Sequence, residues 1–313
     1  MADVGAHAAP RSAITDPLVR GKLRVLIPML TTRRKVQFAS VLSLLVIGLR
    51  KLVRRGPEVT VRRRGISWHL DLREGIDLSL YLGLYERGLP QIAEGILGPG
   101  SVALDIGANL GVHSLTLAKL VGANGRVIAF EPTKFAYQKL CDNISLNPAL
   151  AGRITACQVF LTSGNQGAPP ADVYSSWPLY DRADVHSVLQ GRLMPTEGAH
   201  GVPLDAFLSD PQRVGRPLTR IDFIKLDVDG HELEVLTGAK DSILRYRPTM
   251  LIEFAPYMQD EVEGRLESLL KTIDSFGYRL NDPRGPREVE LSVEALERVC
   301  PPGASVDLLA YPT

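Results

Sequence analysis

Cysteine is scarce in this 313-residue chain: Cys141, Cys157 and Cys300 only, with no C-x-x-C pair. An odd, scattered set excludes a disulfide framework and a thiolate metal cage, and suits a reducing compartment. No apolar run is long enough to span a bilayer; the longest apolar-rich stretch, Val36 to Leu49, falls short of the roughly 20 residues required. The first thirty residues hold no continuous apolar core, Pro28 interrupting the best candidate, so no cleaved secretory signal is expected. Aromatic residues make up 6% and are not interleaved with the basic residues, which leaves little for base stacking. Nucleic acid is therefore not an expected partner. No internal repeat of solenoid length is present.

What is present is concentrated at residues 102–111, Val-Ala-Leu-Asp-Ile-Gly-Ala-Asn-Leu-Gly. An apolar run ends in Asp105, a glycine turn follows, and a helical pattern begins near His113: a strand, a tight loop and a helix, the opening unit of a nucleotide-type α/β fold. The loop carries neither G-x-G-x-x-G nor G-x-x-x-x-G-K-[ST], so it is not a diphosphate cradle. Gly107 and Gly111 permit close backbone approach, and Asp105 offers an acceptor for an amine or for loop N–H groups. Further on, Arg126-Val-Ile-Ala-Phe-Glu131-Pro132 reads as a buried strand ending in a carboxylate suited to clamp ribose hydroxyls, with Pro132 turning the chain away. A phosphate-free cofactor with an amino-acid tail and a ribose fits best, namely S-adenosylmethionine.

The net charge of +1 conceals an asymmetry. From Arg11 to Arg64 there are 14 Lys or Arg against two acids, Asp16 and Glu58. Residues 1–56 form a basic arm whose apolar stretch is expected to be helical. Two readings stand for that helix: it lies in the membrane interface near anionic headgroups, or it packs on the catalytic domain. A cytoplasmic protein, with peripheral contact at the inner face of the membrane as an option, is the expected setting. Residues 57–90 should hold a β-hairpin, Glu58 to Arg63 with Ile66 to Leu72, and a helix from Leu78 to Leu89 carrying Tyr81, Tyr85 and Glu86, residues 73–90 forming a flap beside the cofactor cleft.

Residues 91–313 read as the main domain. Strands are expected at Ile154 to Leu161, Asp222 to Asp227, Met250 to Phe254, Phe276 to Leu280 and Val306 to Tyr311, besides the two above. Helical patterns cover Leu115 to Val121, Phe135 to Leu146, Glu232 to Leu244 and Val262 to Phe276. The alternation predicts a mostly parallel, doubly wound sheet. Thr162 to Gly201 is too long for a plain loop and is expected to be a lid or substrate-binding insertion.

Ligands bind such sheets at the carboxyl ends of the strands, where Asp105, Glu131, Asp227 and Glu253 fall. The densest cluster is Lys225-Leu-Asp227-Val-Asp229-Gly230-His231-Glu232. His231, with basicity raised by neighbouring carboxylates, is a candidate base for a hydroxyl proton, assisted by Asp227 or Glu253. Asp227 could equally hold the loop through N–H groups, and Asp229 could cap the helix. No regular ligand spacing compels a metal.

The blocks Leu104 to His113, Val127 to Pro132, Lys225 to Glu232 and Arg247 to Glu253, with Asn143, Asn147, Val202-Pro-Leu-Asp205 and Leu309-Ala-Tyr, resemble the FkbM-type S-adenosylmethionine-dependent methyltransferases over about residues 75–311. The resemblance implies a class I methyltransferase fold, Rossmann-like, with a seven-stranded sheet whose last strand is antiparallel. It also implies O-methylation of hydroxyls on sugars or macrolide-like natural products, so the acceptor is a carbohydrate or small molecule. It places Asp105, Gly107, Asn109 and Gly111 at the methionine end of the donor, Glu131 at the ribose and Asp227 near the transferred methyl; Ala108, His113 and Pro132 are further candidate contacts of the donor. Tyr81, Tyr85, Glu86 and Asp229 are the residues expected at the acceptor. The family has Glu where this chain has Asp229, one methylene shorter, and Cys157-Gln-Val-Phe-Leu lacks the pattern that would assign an adenine contact.

Overall fold

The computed structural model describes residues 32–85, 88–164, 168–180, 184–187, 189–259, 263–285 and 287–313. Glu86 lies outside them.

Helix α1, Thr32–Leu52, precedes a hairpin of β1, Glu58–Arg63, and β2, Ile66–Asp71. The turn uses Arg64 and Gly65 at φ 49° and 79°, the doubly left-handed pair that a two-residue hairpin requires. Where one helix is expected over 78–89, two short ones stand: α2, Gly75–Tyr81, and α3, Gly88–Glu94. Gly83, at φ 70°, takes the left-handed conformation just past the end of α2 and stops it.

The main sheet begins with β3, Val102–Ile106, then α4, Val112–Leu120, and β4, Arg126–Phe130. Helix α5, Lys134–Ser145, opens on a Thr133 side-chain cap and leads through α6, Pro148–Ala151, to β5, Ile154–Cys157. The expected third strand is cut at Gln158. Its second half is β6, Val159–Leu161, which leaves the sheet to pair with β9, His200–Val202. Between them β7, Asp172–Ser176, and β8, Arg192–Pro195, make an antiparallel pair inside the expected insertion. Helices α7, Leu204–Ser209, and α8, Pro211–Val214, return the chain to β10, Phe223–Leu226.

The helix expected over 232–244 divides into α9, Glu232–Gly238, and α10, Lys240–Tyr246. A Cβ at Gly238 would come within 2.0 Å of the Thr162 carbonyl oxygen, so the bend sits where another segment crosses. Strand β11, Thr249–Phe254, is followed by α11, Pro256–Gln259, and α12, Arg265–Ser275. Then come β12, Tyr278–Asp282, β13, Arg287–Val289, α13, Val293–Val299, and β14, Val306–Pro312.

The sheet runs β13-β12-β14-β11-β10-β3-β4-β5. Pairing is parallel from β11 through β5, and β14 is antiparallel to both β11 and β12. Seven of these strands follow the class I methyltransferase order; β13 is an eighth, an edge strand the sequence reading lacks. Every residue of β3 and β10 is buried, as central parallel strands require. Leu104, Ile106, Phe130, Leu226 and Ile252 pack on one face of the sheet, Ala103, Val127, Phe223 and Leu251 on the other.

The hairpin packs on the main domain, and Gly75, Ile76, Ser79 and Tyr85 of the segment after it line the cavity described below. Ile66, Trp68 and Leu70 share a core with Leu115 and Leu117 of α4. Asn147 accepts from Ser67 N at 2.9 Å and donates to its carbonyl at 2.7 Å, while Asn143 accepts from His69 N at 2.8 Å.

Candidate active site

A cavity of about 560 Å³ opens at the carboxyl ends of β3, β4, β10 and β11, a volume ordinary for a small-molecule site. Gly107, Ala108, Asn109, His113, Glu131, Pro132, Asp227, Asp229, His231 and Glu253 line it, with Tyr85. Asp105 and Gly111 do not. Asp105 is fully buried, with Oδ2 accepting from Ser114 Oγ at 2.5 Å and Oδ1 3.9 Å from Lys225 Nζ. It holds the first turn of α4 and does not line the cavity. Gly111, at φ 92°, lets α4 start against Leu140, whose Cδ1 would sit 2.6 Å from an added Cβ.

The loop after β3 spends its N–H groups internally. Gly107 N and Ala108 N donate to the Phe130 carbonyl, Asn109 N to Glu131 Oε2, Leu110 N to Asn109 Oδ1 and Gly111 N to the Ala108 carbonyl. A diphosphate would find no row of donors there. Glu131 also accepts, through Oε1, from Thr133 N at 3.0 Å and Thr133 Oγ1 at 2.7 Å. Three of its roughly four lone-pair directions are thus used within the protein. Burial raises its pKa against the pull of these hydrogen bonds.

At the other end, Lys225 Nζ donates to the Gly107 carbonyl at 2.8 Å and lies 3.0 Å from Asp227 Oδ2. Lys225, to which the sequence pattern assigns no role, ties the two loops and supplies the cluster's positive charge. Burial opposes ionisation of Asp227, but Lys225 and hydrogen bonds from Glu253 and Lys225 outweigh it and hold the pKa below the ordinary value. Glu253 moves the other way. Burial, the Asp227 charge and their shared hydrogen bond push it well above the carboxylate range, so Glu253 holds the proton and donates it to Asp227. Asp229, at φ 48°, is likewise raised by burial and by the charges of Asp227 and Glu232. Asp227, Asp229 and Glu253 each bring an oxygen within 4.8 Å of the others.

Neither Asp227 nor Asp229 is the brace of the loop after β10. Glu232 fills that role, accepting from Val228 N at 3.3 Å and Gly230 N at 3.2 Å, and burial pushes its pKa up to about 7. His231 has no raised basicity: burial lowers its pKa, and the nearby Glu234 charge offsets this only in part. Its Nδ1 lies 3.4 Å from the Val228 carbonyl, and its ring meets Phe160 edge-on at 5.3 Å. The carboxylate that acts on His231 is therefore Glu234 rather than Asp227 or Glu253. His113 is driven down to about 3 by burial and the Lys225 charge, so it is neutral. Tyr85 faces it at 6.3 Å between ring centroids.

Tyr81 does not reach the cavity; it packs beneath Arg63, which donates to its carbonyl at 2.9 Å and stacks over its ring. The insertion does reach it. Tyr174, Trp177, Leu189 and Leu193 form a wall, joined by Tyr257 and Met258. This wall is fastened to the glycine loop by Asn109 Nδ2 on the Ser175 carbonyl at 3.2 Å, and to the start of α5 by a 2.7 Å Thr133–Ser175 hydroxyl contact. The insertion's wall residues are not marked in the sequence, since an apolar residue in a polar insertion has no periodicity to distinguish it.

The Methyltransferase FkbM domain family matches residues 105–280, which include the glycine loop, Glu131 and the whole Asp227 cluster. The chain belongs to the FkbM methyltransferase family. It is 30% identical over 188 residues to Methyltransferase sdnD of Sordaria araneosa, covering 54% of this chain and 71% of that protein. It is 25% identical over 217 residues to the AMB antimetabolite synthetase AmbE of Pseudomonas aeruginosa, covering 59% of this chain but only 10% of that much longer protein. Among solved structures, Methyltransferase FkbM from Methylobacillus flagellatus KT aligns at 18% identity and a TM-score of 0.41, over 71% of this chain and half of that one.

S-adenosylmethionine is the methyl donor of the FkbM enzyme, and the residues present fit it. The donor carries a sulfonium and an ammonium against a single carboxylate. The cavity offers Glu131 and the ionised Asp227, and its glycine loop has no spare donors for phosphate. Glu131, Pro132 and Asn109 would hold the ribose side, and Gly107, His113 and Asp227 the methionine side.

Proposed function

We propose that this FkbM methyltransferase acts on a hydroxyl oxygen of a sugar in a glycan or glycolipid. The observation that carries the reading is the composition of the cavity beyond the donor end. The aromatic side chains of Tyr174, Trp177 and Tyr257 line the same cavity as the acids Asp172, Asp229 and Glu253. Sugars present this same pairing, C–H faces that pack on aromatic rings and hydroxyls that seek carboxyl acceptors.

Bound S-adenosylmethionine supplies an electrophilic methyl group, so the chain needs to hold the acceptor oxygen in line and remove its proton. His231 does the latter. A proton on Nδ1, directed at the Val228 carbonyl, leaves the Nε2 lone pair as the base, and the lowered pKa keeps the ring neutral near pH 7. Asp227 and Asp229 orient the hydroxyl, with Glu253 holding Asp227 in place.

Because the His231 pKa is depressed, activity rises with pH through an acid limb below 6.5 and is level above it. His231→Ala lowers kcat by about 10²-fold or more and removes that limb; full turnover across the pH range by the variant would overturn the assignment. For the acceptor, mass spectrometry of glycans and extracted metabolites from a strain lacking the gene should find a sugar short of one CH₂. A second reading, methylation of a polyketide or other secondary-metabolite hydroxyl, draws on the likeness to AmbE, an antimetabolite synthetase. It would be supported if only a small metabolite lost that increment.

A further inference from the structure

Helix α1 is apolar on two opposite sides. Val36, Ala39, Val46 and Ile47 pack towards Leu72, Leu78 and Leu179, and Ser43 fixes the helix by donating to the Leu72 carbonyl at 2.6 Å. Tyr180 in turn donates to the Ser43 hydroxyl at 2.7 Å. On the other side Phe38, Val41, Leu45, Leu49 and Leu52 follow at helical spacing, with Leu44 and Val53 beside them, each at least 60% exposed. These seven are most of the large hydrophobic side chains the described residues leave exposed, and they form one stripe. A stripe of this kind on a folded chain marks a docking surface.

Charge identifies the occupant. Thr32–Leu52 contains no acid, and Lys51, Arg54 and Arg55 are exposed just beyond the stripe, without an ion pair among the described residues. A second copy would bring the same basic flank against this one. Residues 1–31 carry four Lys or Arg against two acids, again the same sign. A surface both apolar beneath and negative above satisfies the pattern, and that is an anionic bilayer. No helix among the described residues is long and apolar enough to cross a membrane, so the contact is interfacial.

The helix is also a wall of the active site. Val36 and Ala39 line the cavity, while Phe38 and Val41, two positions along each time, project on the opposite side. We propose that the outer face of α1 seats in an anionic lipid surface, bringing the enzyme's cavity to the headgroup layer, where an acceptor carried on a lipid would meet it. The docking does not depend on which hydroxyl is methylated, so the two readings fail separately.

Co-sedimentation of the full chain with phosphatidylcholine vesicles, with and without phosphatidylglycerol, tests it. Binding should require the anionic lipid and weaken with salt. Leu45→Glu/Leu49→Glu should lower the vesicle-bound fraction at least about tenfold, with unchanged melting and S-adenosylmethionine affinity, and Lys51→Gln/Arg54→Gln/Arg55→Gln should lower it selectively on anionic vesicles. Failure of the wild type to sediment, or equal binding by the Glu variant, overturns the proposal. So does a wild-type dimer in sedimentation equilibrium that the Glu variant dissolves, because a second copy would then cover the stripe.

Discussion

A methyl group added to Gly107 would lie 1.7 Å from the Asp227 carbonyl oxygen, on a backbone already at φ 79°. The glycine that the sequence marks for close approach to a ligand is thus required by the neighbouring loop. Gly107→Ala should destabilise the fold on the order of 3 kcal/mol and abolish donor binding, read by chemical denaturation and calorimetry. Asp227 and Glu253 share a proton that rests on Glu253. Glu253→Gln, which keeps a donor toward Asp227, should therefore retain activity within about tenfold, whereas Asp227→Asn should lose about 10²-fold or more in kcat/KM. Equal losses from the two would contradict that placement of the proton. Glu131, Asp227 and the loop were legible as residue types at strand ends. Lys225 and Glu232 were not, because a charged residue inside a cluster declares its partner only when two loops meet.

Among the elements, the hairpin β1–β2, packed on α4, is also tied to α5. Asn143 bonds His69 N on one side and, through Nδ2, the Leu110 carbonyl of the glycine loop at 3.0 Å on the other. Asn143→Ala strands the half-buried His69 N–H and the buried Leu110 carbonyl. It should cost about 2–4 kcal/mol and weaken donor affinity as the loop relaxes, measured by denaturation and titration of the same variant. Hairpin, strand and amphipathic-helix periodicities were readable within a residue or three. The breaks were not. Ile154 to Leu161 reads as one apolar run, yet Gln158 divides it by donating to the Glu197 carbonyl at 2.8 Å, a partner 39 residues away. Gly83 and Gly238 interrupt helices for equally specific reasons, a left-handed turn and a crossing carbonyl.

Across the whole molecule, the strand order places Asp105, Glu131, Asp227, Asp229 and Glu253 at one edge of the main sheet, in which β13 is the one strand not expected from the sequence. Concentrating acids there couples stability to pH. Glu232, raised from 4.5 to about 7, and the likewise raised Asp229 and Glu253 bind protons in the folded state that the unfolded chain has released. Their contribution is complete below the unfolded pKa and is lost as pH rises through the folded value, so stability declines between about pH 4.5 and 7. Asp227, lowered, acts oppositely: its contribution is present above its unfolded pKa and is lost as pH falls through the folded one. Glu232→Gln should flatten the decline, by on the order of 3 kcal/mol at its upper end, in melting temperatures taken across that window. The fold and its proposed chemistry share one premise, that a loop with no spare N–H donors, next to Glu131, receives a cationic, phosphate-free nucleoside. Calorimetric titration with S-adenosylmethionine and, separately, with a nicotinamide dinucleotide tests it directly. Saturable binding of the first at one site, weakened at least about tenfold by Glu131→Ala, with no heat from the second, is the predicted result. Uptake of the dinucleotide, or none of S-adenosylmethionine, would contradict it.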